Sequence, residues 1–186
     1  ELGMEGHFAP MCRHINESRN GIYGIFEPFG VAMLATLPMR SMQVHYYFGN
    51  PDVLHPYAGG KRSPQEYLNK VLLYGDVFNP EGVRFSIGTT HFTWTENAAV
   101  TDEQRRDLAA LLRILANIPD IILCGDFNAP RGTEIFDAIA QKYHDNIPAY
   151  YTTSIDGNIH RHGNIEYIVD GLFSTPPYAV KNVKLQ

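Results

Sequence analysis

The sequence predicts a mixed α/β chain of the α+β class, with two β-sheets facing each other and helices on their outer faces. Three observations carry this. Aliphatic runs bounded by turn residues recur, notably Val83 to His91, Ile121 to Cys124 and Tyr167 to Thr175. A capped amphipathic helix lies between the first two, and a sheet packed on such a helix needs a second cover for its other face. The 186 residues, 44% of them hydrophobic, suffice for one sizeable core, so residues 1–186 are read as a single domain.

In chain order, Gly21 to Leu37 is glycine-punctuated, aromatic and aliphatic, and reads as a hairpin. Gln43 to Phe48 alternates polar and apolar residues and reads as the next strand. Asn50 to Ser63, with Pro51, Pro56, Gly59 and Gly60, reads as loop, and its Tyr57 to Arg62 stretch as mobile. Pro64 to Phe78 carries a helical spacing through Tyr67, Val71 and Tyr74. The clearest helix runs from Thr101 to Ala116. Thr101-Asp-Glu-Gln104 is a capping box, Asp102 and Glu103 suit the positive end of the helix dipole, and Leu108, Leu111, Leu112 and Leu115 form one apolar stripe. Asn117 and Pro119 end it. Strand, helix, strand follow one another here, with a crossover long enough to join parallel strands.

The net charge of −5 and the absence of any Lys/Arg run argue against a high-affinity binder of long duplex DNA, although a local basic groove is compatible with an acidic total. Cys12 and Cys124 lie far apart and form no disulfide framework; Cys124 reads as a small buried hydrophobe. No stretch is apolar for long enough to cross a membrane as a helix. The chain begins with Glu1 and reads as cut at its start, so the lack of a leader says little about compartment; the cytoplasm is the default expectation. Oligomeric state is not legible.

The most informative segment is Ile121-Ile-Leu-Cys-Gly-Asp-Phe-Asn-Ala-Pro-Arg-Gly132. A buried strand ends at Gly125, which permits a sharp turn, and the turn carries Asp126 and Asn128 two residues apart. A carboxylate and a carboxamide at the mouth of a strand can hold a hard cation, a phosphate or an attacking water. They are also ordinary turn residues. His91 ends the preceding strand, followed by Phe-Thr-Trp94. It and Asp126 would leave neighbouring parallel strands at the same end, where ligand crevices form; alone, such a histidine is more often a core residue. Asp170 interrupts an apolar run, where an unpaired acid is costly. Arg131 reads equally well as a phosphate contact or a surface salt bridge. His160-Arg-His162 reads as a solvated turn rather than a metal site, and Asp156 and Glu166 as loop and surface acids. Trp94 and Tyr151 could stack on a ring but read better as packing, and His45, Tyr46 and Asn50 are minor candidates for substrate contact.

A histidine at a strand end, then Gly125-Asp-Phe-Asn128, then Asp170-Gly-Leu-Phe173, together with Gly30 to Pro38 and its Leu-x-x-x-Pro turn, resembles the endonuclease/exonuclease/phosphatase superfamily over about Phe8 to Leu185. The resemblance implies a DNase I-like four-layer α/β/β/α sandwich. It implies a metal-dependent phosphoesterase in which His91, Asp126, Asn128 and Asp170 are catalytic. Asp126 and Asn128 would hold Mg²⁺ or Mn²⁺, Asp170 would orient a histidine, and Arg131 would contact substrate. The substrate would be a phosphodiester or monoester, with nucleic acid, inositol phosphate and lipid headgroup all open. The Trp-Cys-Asp-Arg run of inositol 5-phosphatases is absent around Val169 to Gly171. The rival reading is a non-catalytic module that holds a phosphorylated ligand in the same cleft.

Two family elements are not found. No Gln-Glu pair supplies a metal-binding glutamate, Glu1 not being equated with it, and no Ser-Asp-His run follows Asp170. The resemblance therefore implies a fold incomplete at both ends, and a 1–186 chain that turns over slowly and binds Mg²⁺ weakly.

Overall fold

The structure, a computed structural model, describes residues 3–17, 23–57, 67–160 and 163–185. The most local signal forms as expected. Helix α1 spans Asp102–Leu115, and the Thr101 hydroxyl accepts a hydrogen bond from the Gln104 amide at 3.3 Å. Leu108, Leu111 and Leu115 are buried on one face of it, as the 3- and 4-residue spacing requires.

The strands, in order, are β1 (Glu5–Glu17), β2 (Tyr23–Ala35), β3 (Met39–Phe48), β4 (Pro56–Tyr57), β5 (Lys70–Phe78), β6 (Arg84–His91), β7 (Ile122–Asp126), β8 (His144–Asp145) and β9 (Asp170–Ser174), with helix α2 (Glu134–Ala140) between β7 and β8. They form two sheets, of order β2-β1-β4 and β3-β5-β6-β7-β9-β8. The sheets face each other through Ala9, Met11 and Val31 on one side and Val71 and Leu73 on the other. The opposite face of the larger sheet packs on α1 and α2, with Leu72, Leu123 and Phe173 against Leu111, Leu115 and Phe136. The expected α+β architecture of facing sheets with an outer helical layer is thus present. Among the described residues no helix covers the outer face of the smaller sheet, where Phe8 is 47% and Leu34 65% exposed.

Two expectations are corrected. The helical reading of Pro64 to Phe78 fails at its C-terminal half, because Lys70–Phe78 is the strand β5. Val71 and Leu73 pack against the smaller sheet while Leu72 packs toward the helices, so both faces are buried and the alternation that marks a strand is lost. The spacing of Tyr67, Val71 and Tyr74 is then coincidental. The hairpin expected within Gly21 to Leu37 is instead one long strand, β2, whose antiparallel partner is β1. Residues 58–62 of the loop expected to be mobile lie outside the described residues.

The topology positions the site. Strands β6 and β7 are parallel, joined by the α1 crossover, and β9 runs antiparallel beside β7. The C-terminal ends of β6 and β7 and the N-terminal end of β9 therefore meet at one edge of the sheet. Gly125 makes this possible. Its φ is +145° and a Cβ there would run into the carbonyl oxygen of Thr90 on β6. Gly132 also has positive φ, at +85°, but opens onto free space. Gly125→Ala should destabilise the fold by about 3 kcal/mol or more, and Gly132→Ala by only about 1 kcal/mol. Urea denaturation of both variants checks this; equal losses would show that the close approach of β7 to β6 is not a constraint.

Candidate active site

The strand register builds a row of polar side chains. His91 pairs with Asp126, and Asp126 pairs with Asp170. Consecutive partners across a sheet point to the same face, so three residues separated by 79 positions stand side by side. Asn128 follows two residues beyond Asp126 with φ +48°, the left-handed region that asparagine tolerates better than most residues. Its backbone N–H donates to Asp126 Oδ1 at 2.7 Å, and its Nδ2 donates to the Phe92 carbonyl at 3.1 Å. The turn reading and the site reading of Asp126 and Asn128 therefore hold together: the turn is what aims both side chains.

Burial disfavours charge along this row. The His91 imidazole is held down to about 4, first by burial and then by the nearby Lys70 ammonium. Its side chain is 34% exposed, and the Phe29 ring lies edge-on to it at 6.0 Å. His91 is neutral at neutral pH, so its 3.6 Å contact with Asp126 Oδ2 is neither an ion pair nor a hydrogen bond. Burial raises the Asp126 carboxyl, opposed by the Asn128 N–H and Lys70. Burial and the Asp126 charge raise Asp170, opposed by a hydrogen bond with Ser154. Two neighbouring carboxylates whose charge burial disfavours suit a hard cation, which Mg²⁺ chemistry satisfies with one or two carboxylates plus waters and phosphate oxygens. The residues that could hold it are Asp126 and Asn128, through its amide oxygen, with Asp170 as the next carboxylate in the row. Among the described residues no group of three or more His, Cys, Asp and Glu has metal-holding geometry.

Lys70 was missed by the sequence reading, which placed it in a helix; an ammonium at the head of a Val-Leu-Leu run was the available signal. It is 2% exposed. Burial lowers it to about 8, an effect offset by Asp107, Cys12, Asp126 and Glu103. Its ordinary value is 10.5, so the unfolded chain binds the proton more tightly. The resulting penalty, about 3 kcal/mol, is fully present below pH 8 and lifts as pH rises toward 10.5. Lys70→Met should therefore raise stability at pH 7 by about 1–3 kcal/mol and flatten its rise above pH 8. A less stable variant at pH 7 would contradict this.

Two members of the row, Asp126 and Asp170, open into a cleft of about 930 Å³ that His91 does not line. Asp126, Asn128 and Asp170 line one part of it, and Trp94, Ile155, Ile165, Tyr167 and Val169 form an apolar wall. Of the two readings of Arg131, the salt bridge forms. Its guanidinium pairs with Asp145 at 2.8 Å and donates to the Ile147 carbonyl at 2.8 Å, and it does not line the cleft. Tyr151 packs against the core, as expected, whereas Trp94 lines the cleft. His45 stacks on Tyr74, Tyr46 donates to the Pro10 carbonyl, and Asn50 bonds to Asn69, all outside the cleft. Asp156 caps a local turn through Asn158, and Glu166 is exposed. His160 lines the cleft; Glu1, Arg161 and His162 lie outside the described residues.

Comparison with known proteins follows the same lines. The sequence profile of the Endonuclease/Exonuclease/phosphatase family matches residues 6–179. No curated protein sequence matches. The human Nocturnin catalytic domain, solved with bound sulfate anion, aligns with a TM-score of 0.58 at 19% identity, over 94% of this chain and 62% of that one. An endonuclease/exonuclease/phosphatase from Bacteroides vulgatus aligns with a TM-score of 0.59 at 15% identity, over 94% and 65%. ANGEL2, a 2',3'-cyclic phosphatase in complex with adenosine-2',3'-vanadate, aligns with a TM-score of 0.50 at 18% identity, over 79% and 39%. The chain thus spans 39–65% of the length of these three structures. At these identities they establish the fold, and the profile establishes the family: the chain belongs to the Endonuclease/Exonuclease/phosphatase family and carries its DNase I-like facing sheets.

Proposed function

We propose that this protein is a metal-dependent phosphoesterase that hydrolyses a phosphodiester or phosphomonoester by attack of an activated water. The observation that supports this best is the single row of His91, Asp126 and Asp170, with Asn128 turned toward it by its own turn. A phosphoester is anionic and resists nucleophiles. Mg²⁺ or Mn²⁺, held by Asp126 with Asn128, would neutralise that charge and polarise the phosphorus.

The chain's own residues divide the remaining work. Asp126 has one carboxylate oxygen fixed by the Asn128 N–H, which leaves the other to orient and deprotonate water; its raised pKa makes it a better base than an ordinary aspartate. The Asn128 amide, anchored on Phe92, holds water or a phosphoryl oxygen. His91 is neutral, so it donates a hydrogen bond to a phosphoryl oxygen as charge develops there. Protonating the leaving group would instead need an imidazolium, which this site disfavours until an anion arrives. Asp170, bonded to Ser154, orients an imidazole or water entering beside it. The apolar wall from Trp94 to Val169 receives the organic part of the ester.

Asp126→Ala and Asn128→Ala should each lower metal-dependent hydrolysis of bis(p-nitrophenyl) phosphate by roughly 10²–10⁴-fold while keeping a cooperative thermal melt. Near-normal turnover in Asp126→Ala would reduce the acid to a turn residue. Tight binding of a phosphorylated ligand by a wild-type protein that shows no turnover would assign the non-catalytic module instead.

A further inference from the structure

Helix α1 touches the site from beneath, through side chains that its amphipathic pattern does not call for. Gln104 is fully buried one turn into the helix. Its Nε2 donates to the Thr93 carbonyl at 2.9 Å and to the Asn128 carbonyl at 3.3 Å. Thr93 lies two residues past His91, and Asn128 lies two residues past Asp126. One amide group therefore bridges the exits of the two parallel strands at equivalent positions. One turn further along, Asp107 is 1% exposed and accepts the Thr93 hydroxyl at 2.5 Å. Thr93 is thus held at both its carbonyl and its side chain.

The bridge satisfies two backbone carbonyls and leaves one side-chain oxygen unpaired. Two carbonyls converge on Nε2, which fixes the orientation of the amide and leaves Oε1 buried without a hydrogen-bond partner among the described residues. A buried acceptor left unpaired costs about 1–3 kcal/mol. An apolar side chain of the same length would instead leave the Thr93 and Asn128 carbonyls without this donor. The bridge also acts on a segment in need of support, because Asn128 sits in the left-handed region with φ +48°. The Asn128 residue is held at its N–H by Asp126, at its side chain by Phe92 and at its carbonyl by Gln104.

We propose that Gln104 is a positioning residue: it ties the exits of β6 and β7 to each other so that His91 and Asn128 address one phosphoryl group. The proposal rests on the reading of those two residues as substrate-facing. Asp107 acts with it by fixing the Thr93 side chain.

The test is Gln104→Met, which keeps length and removes both donors, assayed on bis(p-nitrophenyl) phosphate with Mn²⁺ beside the wild type. Misplacement of reacting groups by about 1 Å costs about 10²-fold, so kcat should fall about 10- to 100-fold with KM within about threefold and a cooperative melt retained. In an Asn128→Ala background the same substitution should have a smaller further effect, since one of the two groups it positions is gone. A folded Gln104→Met with kcat within twofold of wild type, or a full additional loss in the Asn128→Ala background, overturns the proposal. Thr93→Val, which loses only the hydroxyl contact to Asp107, should lower kcat in the same direction and by less; it carries the test if Gln104→Met fails to fold, and an unchanged kcat there then counts against the proposal. The backbone carbonyl resonances of Thr93 and Asn128 give a readout without turnover: they should shift in Gln104→Met, and unmoved resonances overturn the bridge. An inactive wild type with shifted resonances in Gln104→Met would refute the phosphoesterase reading and leave the bridge standing.

Discussion

The parallel pairing of β6 with β7 is the constraint on which the site depends. A parallel pair brings two C-terminal strand ends to one edge, and the α1 crossover supplies the length of chain that such a pair requires. The pairing fixes His91 beside Asp126, and the antiparallel neighbour β9 then places Asp170 next in line. A one-residue slip would send each side chain to the opposite face of the sheet. Gly125 protects the register from steric conflict, since its backbone lies against Thr90 where no Cβ fits. Asn128, Phe92 and Gln104 then extend the ladder past the ends of the strands, so that the loops inherit the order of the sheet.

What the sequence revealed was what local chemistry determines. The α1 helix was legible because its cap, its acidic first turn and its leucine stripe all lie within fifteen residues. The β7 exit was legible because Gly125, Asp126 and Asn128 carry their conformational preferences individually. Strand β5 was misread because a strand buried on both faces has no period of two, and a chance spacing of Tyr67, Val71 and Tyr74 supplied a helical one instead. Strand β1 went unread because Glu5, His7, Pro10 and Arg13 interrupt it; its face toward the larger sheet is apolar only at positions such as Ala9 and Met11.

The polar parts of the site show where sequence reading stops. Lys70, Gln104 and Asp107 are polar residues whose burial comes from distant elements, and only Lys70, at the head of a Val-Leu-Leu run, carries a local mark of it. Arg131 shows the reverse case. Its side chain suits phosphate or carboxylate equally, and only the position of Asp145, fourteen residues on, decides in favour of the salt bridge. The same non-local burial gives the site its electrostatic character. His91, Lys70, Asp126 and Asp170 are all pushed toward their neutral forms by loss of water. Such groups lower the stability of the empty fold and gain when an ion or an anion arrives, which is the exchange of stability for chemistry expected at a working site.

The central claim is that three strand ends form one cation-dependent centre. Titration of the isotope-labelled chain with substoichiometric Mn²⁺, followed by paramagnetic broadening of its NMR signals, tests this most directly. The predicted result is broadening concentrated at Asp126, Asn128 and Asp170, extending to His91 and fading toward the stacked His45 and Tyr74 outside the cleft. Broadening centred elsewhere, or spread evenly over the acidic surface, would contradict the claim.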